Sequence, residues 1–209
     1  MKSSPPMFIA ITIFILSEAD DMKTKGLLRI VVLFFCVIGF SGCNDDESEF
    51  SSTEIQQALF DMKGTYKGAV EVSYYRGKEI ATFPDGIAVS KDSLIFKLPL
   101  SPIAEMIKDE NISRHLREIG DVEVKAGYEF HQMDQGVMNF VLHPENIVIL
   151  GGYGAPLSVR IEFSQNFGGD AEIYSQFMMF NISPTELWID NERSEDFSQL
   201  VYHFRGSYE

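Results

Sequence analysis

Between Leu157 and Ser164 the chain alternates strictly. Leu157, Val159, Ile161 and Phe163 are apolar, and Ser158, Arg160, Glu162 and Ser164 between them are polar. Successive side chains of a strand point to opposite faces, so this pattern buries one face of a sheet and wets the other. The same period of two runs from Thr65, where Tyr66, Gly68, Val70, Val72 and Tyr74 oppose Thr65, Lys67, Ala69, Glu71 and Ser73. It returns at Val122, Val124 and Ala126 against Asp121, Glu123 and Lys125. Helical spacing is confined to two places. The expected fold is mainly β: an antiparallel β-sandwich or barrel-like sheet with a short N-terminal helix and a helical insertion near 101–119.

Ser51 to Met62 predicts the first helix. Ser51 and Glu54 form a capping-box pattern, Ile55, Leu59 and Met62 share a face, and Gly64 ends it. The insertion is capped by Ser101 with Pro102 in its first turn, and its second helix is expected to start at Asn111 and stop at Gly120. Arg76-Gly77-Lys78, Pro84-Asp85-Gly86 and Asn166-Phe167-Gly168-Gly169-Asp170 read as turns. Strands are expected at Glu79–Phe83, Ile87–Val89, Leu94–Leu98, Glu172–Ile182, Glu186–Ile189 and Gln199–Arg205. Val137–Leu142 and Ile147–Leu150 are apolar enough to be central.

Leu27 to Glu49 says where such a domain would sit. Lys23, Lys25 and Arg29 lead into an eleven-residue apolar run, Ile30 to Phe40, which ends at Ser41-Gly42-Cys43 and is followed by Asn44-Asp45-Asp46-Glu47-Ser48-Glu49. The run is shorter than the roughly 18–20 residues of a spanning helix, and its basic flank suits a signal h-region. The stretch resembles a bacterial lipoprotein signal peptide with the lipobox Phe40, Ser41, Gly42, Cys43. The resemblance implies that Cys43 is acylated and becomes the first mature residue, and two or more acyl chains make a stable anchor. The acidic residues after Cys43 are similar to the export signal of surface lipoproteins of Bacteroidetes, which implies an outer-membrane, surface-exposed position. The expected organisation is an overcalled upstream extension over 1–21, a signal peptide over 22–42, an acidic tether over 43–50 and one β-rich domain over 51–209. A two-helix membrane tail is the alternative for 1–21, a plain secretory signal or a short buried apolar segment the alternative for the lipoprotein signal, and a periplasm-facing anchor the alternative to surface exposure.

Residues 1–42 hold four of the 17 basic and three of the 31 acidic residues, so the remainder carries 13 against 28, a net charge of −15. That charge argues against nucleic acid as a partner. Cys36 lies in the h-region and Cys43 at the lipid site, so residues 44–209 contain no cysteine for a disulfide, a thiolate metal site or a nucleophile. The core must be built by packing, for which the chain has 17 Phe and 8 Tyr.

Candidate chemistry is sparse. His115, His131, His143 and His203 lack close metal-ligand spacing, although 131, 143 and 203 could meet in a barrel. The run Gly151-Gly152-Tyr153-Gly154-Ala155-Pro156 lacks the lysine of a phosphate loop and reads as a hairpin connection. Asp190-Asn191-Glu192-Arg193-Ser194-Glu195-Asp196 reads as a solvated turn rather than a calcium loop. Tyr74, Tyr153 and Trp188 are the candidate ligand-binding residues, as aromatic platforms beside Tyr75 and Tyr174. Asp92-Ser93-Leu94 resembles a Bacteroidetes O-glycosylation acceptor, with Ser93 the candidate site. No catalytic residue, metal or cofactor is expected.

Lys63-Gly64-Thr65-Tyr66-Lys67-Gly68, Lys91-Asp92-Ser93-Leu94-Ile95-Phe96 and Ile182-Ser183-Pro184-Thr185-Glu186-Leu187, together with the lipobox and tether, resemble a group of Bacteroidetes lipoproteins known only as a domain of unknown function. The Gly-Thr-Tyr-Lys-Gly opening also looks like the first strand of lipocalin-like barrels. The leading expectation is a lipid-anchored envelope module that binds a small-molecule, glycan or protein ligand. The alternatives are a structural or assembly subunit of a surface complex and an envelope glycan hydrolase working through a carboxylate pair.

Overall fold

The computed structural model describes residues 50–151 and 157–209. The segments expected as an upstream extension, a signal peptide, the lipobox Phe40, Ser41, Gly42, Cys43 and most of a tether, and Tyr153, lie outside the described residues.

The first helix, α1 (Ser52–Asp61), forms where its capping box requires. Ser51 N donates to Glu54 Oε2 at 2.8 Å, and Glu54 N donates to Ser51 Oγ at 3.3 Å. Ala58 and Met62 are buried, one turn apart on one face. The strands that follow are β1 (Gly64–Tyr74), β2 (Glu79–Ser90) and β3 (Leu94–Pro99). Helices α2 (Ser101–Met106) and α3 (Glu110–Ile119) form the insertion. After it come β4 (Asp121–Asp134), β5 (Val137–Pro144), β6 (Ile147–Leu150), β7 (Ser158–Phe163), β8 (Phe167–Glu172), β9 (Phe177–Ile182), β10 (Pro184–Ile189), β11 (Glu192–Arg193) and β12 (Leu200–Tyr208).

Eight strands close an antiparallel barrel in the order β1-β12-β9-β8-β5-β4-β3-β2. Read along the chain, each barrel strand pairs with the next one in the barrel, and β12 returns to β1. This is an up-and-down meander. The chain leaves it twice, for β6–β7 and for β10–β11, and these strands pair as a four-stranded sheet in the order β11-β10-β7-β6. The mainly β expectation holds, in its barrel form with a second sheet beside it.

Inward positions are apolar and filled. Phe96, Phe180 and Phe204 meet inside the barrel, with ring centroids 5.0 Å apart for Phe180–Phe204 and 5.4 Å for Phe96–Phe180. Met138, Leu142, Leu94, Leu98 and Tyr202 are buried with them. Outward positions carry Lys67, Glu71, Glu123, Lys125, Glu129, Arg205 and their neighbours. That is the reverse of a membrane-spanning barrel, whose outer band is apolar. Among the described residues no helix is long and apolar enough to cross a membrane.

One end of the barrel holds the start of β1, the β4–β5 and β8–β9 turns and the end of β12. α1 lies here, and the Tyr66 hydroxyl donates to the Met62 carbonyl at 2.9 Å. The opposite end holds α2 and α3, where the Ser113 hydroxyl donates to the Ala104 carbonyl at 2.6 Å. The buried Tyr202 hydroxyl donates to the Pro99 carbonyl at 2.9 Å there. Burial pushes the Tyr202 phenol far above its ordinary value, so it remains a neutral donor. The four-stranded sheet joins the same end through Ser183, which donates to the Leu200 carbonyl and accepts from the Gln199 amide.

Five local expectations change. Pro84-Asp85-Gly86 is not a turn: β2 runs through it with a bulge, and the register with β1 shifts between Gly68 and Val70. Proline lacks an N–H, and a bulge tolerates that loss. Phe167 to Asp170 is strand β8, and the turn falls after Glu172, inside the predicted strand Glu172–Ile182. Ile147–Leu150 is an edge strand of the second sheet with Val148 and Leu150 exposed, not a central one. The second inserted helix starts at Glu110, because Asp109 is its cap and accepts from Asn111 N and Ile112 N. The first starts at Ser101, with Leu100 in the cap position.

Candidate functional site

A filled barrel turns attention to the outer surface, where the solvent face of the four-stranded sheet sets Trp188 among arginine and glutamate side chains. Alternation in β7 sends Val159 and Ile161 to the core and Arg160 and Glu162 outward. In β10, Leu187 faces the core, and Glu186 and Trp188 face out with the β7 residues they pair with. Trp188 is paired with Arg160 on one side and Arg193 on the other, and Arg160 with Val148. One cross-strand row therefore reads Val148, Arg160, Trp188, Arg193, and Leu150 is 76% exposed beside it on the β6 edge.

The Arg160 guanidinium lies over the Trp188 ring, 4.8 Å from its centroid. Arg160 Nε is 3.0 Å from Glu162 Oε1, an ion-pair contact too bent to count as a hydrogen bond. Arg193 reaches Glu186 at 3.2 Å, and the Trp188 indole N–H donates to Glu186 at 3.1 Å. Each arginine is thus matched by a glutamate, and the face is balanced in charge rather than anion-seeking. Glu162 and Glu186 are cross-strand partners. They lie on an open face and each is tied to an arginine, which is not how a hydrolase holds a free acid opposite a free base.

The candidate residues from the sequence do not converge. Trp188 lies in this face. Tyr74 ends β1 at the rim of the barrel and is exposed; its neighbour Tyr75 packs edge-on to Phe167 at 6.2 Å and carries Arg76 over its ring. Tyr153 is not among the described residues. Ser93 is buried, 8% exposed, in the turn between β2 and β3, where its carbonyl accepts from Lys91 N. That placement suits a turn former, and a glycan on Ser93 would have to be attached before the turn closes.

His131 and His143 flank Glu129 on the outside of β4 and β5, at 3.8 and 2.7 Å. His203 lies on β12, with β9 and β8 between it and β5. His131, His143 and His203, which a barrel could have gathered, are therefore not brought together, and among the described residues no group of His, Cys, Asp or Glu is arranged to hold a metal. Within the acidic run at 190–196, Asp190-Asn191 is the hairpin turn between β10 and β11, at φ 48° and 69°, the conformation that favours such residues.

A depression of about 210 Å³ opens where β2 and β3 part, lined by Phe83, Pro84, Asp85, Ile87, Lys97 and Asp121 among others. It is smaller than the ~300–1,000 Å³ of ordinary small-molecule sites. Sequence reasoning missed Arg160 and Arg193 as members of the Trp188 face. The alternation of β7 marked Arg160 as outward, but its partner across the sheet depends on register.

The fold and its surface define a packed eight-stranded β-barrel protein with an appended sheet that presents an aromatic–arginine face. Residues 61–189 match the family model described as "Domain of unknown function (DUF4840)", and the chain belongs to that family. The match ends with β10, and β12, which closes the barrel, follows it. No curated protein and no solved structure matches the chain.

Proposed function

We propose that this protein is a lipid-anchored interaction module of the bacterial outer envelope, and that it binds a protein partner through the solvent face of the β6-β7-β10-β11 sheet. The observation that carries this is the row Val148, Arg160, Trp188, Arg193 beside exposed Leu150. Tryptophan and arginine dominate the energetic centres of protein interfaces. β6 ends the sheet order, and among the described residues no strand pairs with its outer edge, the template an extended peptide uses. Phe96, Phe180 and Phe204 occupy the space a lipocalin-like barrel keeps for a small ligand.

The anchor is Cys43, and the acidic residues behind it direct the module to the outward face of the outer membrane. The lipobox, the tether and the Bacteroidetes lipoprotein resemblance support that part. The same open edge would serve a permanent subunit of a surface complex, which a stoichiometric co-purifying partner would distinguish from a transient one.

A photo-crosslinking amino acid at Val148 or Leu150, in cells expressing the lipidated chain, tests the reading. A discrete adduct from these positions, and none from Glu123 on the barrel wall, is expected. Silence at 148 and 150, or equal labelling from the barrel wall, would sink it.

A further inference from the structure

Exposed apolar side chains gather at the barrel end where the chain enters the fold. Phe60 is 72% and Tyr174 85% exposed, and Met133 and Tyr208 are exposed with them. They come from α1, the β8–β9 turn, the end of β4 and the end of β12. Register puts these on one rim. Tyr208 pairs with Tyr66 near the start of β1, Phe177 with Ser207, and Val137 with Glu172. Backbone bonds lace the rim, from Tyr208 N to the Gln176 carbonyl at 2.8 Å and from Ile173 N to the Gly136 carbonyl at 2.9 Å. The rings are seated. Tyr174 covers Gly136 and Tyr208 covers Gly64, so closely that a Cβ at either glycine would fall about 2 Å from the ring.

Phe60 lies two residues after Ala58, about 200° round the helix, so it points away from the barrel that buries Ala58. Thr53, Gln56 and Gln57 share its side of α1 and are uncharged. An uncharged stripe is notable in a chain with a net charge of −14.

We infer that this end of the barrel rests on the lipid surface, with Phe60, Met133, Tyr174 and Tyr208 in the interfacial zone. The inference rests on acylation of Cys43. Six residues, Asn44 to Glu49, separate Cys43 from Phe50, a reach of at most about 25 Å. Phe50 packs against Phe130 of β4, ring centroids 6.2 Å apart. So short a link keeps the barrel close to the acyl chains and favours the end whose aromatic rings belong at a membrane interface. Lys63, Lys67 and Lys91 here are outnumbered by Asp61, Asp92, Asp134, Glu172 and Glu209, and the tether adds Asp45, Asp46, Glu47 and Glu49. This end therefore rests on the surface through its aromatic rings and not through attraction to anionic headgroups, and a zwitterionic surface is the one on which that contact is read without repulsion. The sheet with Trp188 joins the opposite end. The nine residues of β12 between the two ends hold it about 25 Å further out.

Trp188 is the one tryptophan of the chain, so position can be read by quenching. The lipidated full-length chain is placed in phosphatidylcholine vesicles with brominated acyl chains, once as the native protein and once as Trp188→Phe with Tyr174→Trp. Emission from position 174 should be lost relative to unbrominated vesicles, and Trp188 emission should be unchanged. Phe60→Trp in the same Trp188→Phe background is a second reporter, should Tyr174→Trp fold poorly. Unquenched emission from both rim positions, or stronger quenching of Trp188, overturns the inference while acyl mass on Cys43 leaves the anchor standing. Absence of acyl mass on Cys43 removes the anchor and the inference together.

Discussion

At the scale of single residues, His203 is the most informative titrating group. Arg205 Nε donates to His203 Nε2 at 2.7 Å, which assigns the proton of the neutral ring to Nδ1, facing Asn181 Oδ1 at 2.6 Å. A proton on Nε2 would break the first bond and set two cations together. Burial, and then the Arg205 charge, lower the His203 pKa below its ordinary 6.5, with Glu71 across the strand pair opposing them. The folded pKa lies below the unfolded one, so the unfolded chain binds more protons between the two values and stability rises with pH there. Stability is therefore complete above about pH 6.5 and falls as pH drops through that value. His203→Gln keeps a donor and an acceptor but does not titrate. Urea midpoints at about pH 8 and about pH 5.5 should fall further for the native chain than for the variant, by less than about 1 kcal/mol because the ring is half exposed. Equal falls would show that His203 does not set this dependence. Nothing in the sequence marks this role for His203, since its state depends on Asn181, which only the β12–β9 register brings opposite.

At the scale of elements, the strands with alternating faces were legible and those with glycines were not. β1, β4 and β7 pair one wet face with one buried face, and their periodicity located β1 and β7 within a residue or two and the first half of β4, which runs on to Asp134. β8 hid because Gly168 and Gly169 look like turn residues. Their work is to let strands approach: a Cβ on Gly168 would sit 1.9 Å from the Phe140 carbonyl oxygen, and one on Gly169 2.0 Å from that of Met179. Gly127, in β4, has nothing within 4 Å of such a Cβ. Gly168→Ala should therefore lose about 1–3 kcal/mol or more to overpacking, whereas Gly127→Ala should be neutral or gain about 0.4–1 kcal/mol through the unfolded state. Chemical denaturation of the two variants separates the explanations. Equal destabilisation would mean that strand glycines here matter for backbone freedom and not for space. The capping box of α1 was readable because all its partners lie within four residues, while the Trp188 face needed partners some thirty residues away.

At the scale of the whole molecule, alternation specified sheets but could not choose between a sandwich and a barrel. That choice is made where β12 returns to β1, pairing Tyr66 with Tyr208 and Tyr74 with Leu200 across most of the chain. Nor does a pattern of apolar residues say whether a barrel is hollow. Here it is full, and Phe180 is the test, because it touches both Phe96 and Phe204 and is fully buried. Truncation to alanine removes ring contacts that the rigid strands cannot replace by collapse, so Phe180→Ala should cost about 3–5 kcal/mol. The space it leaves is lined by Phe, Met and Leu side chains and should stay dry, as engineered apolar cavities do. Benzene should then raise the melting temperature of Phe180→Ala and leave the native chain unchanged. If benzene stabilised the native chain to the same degree, the barrel would already hold an accessible cavity. The protein's binding would then have to be sought inside the barrel as well as on the Trp188 face.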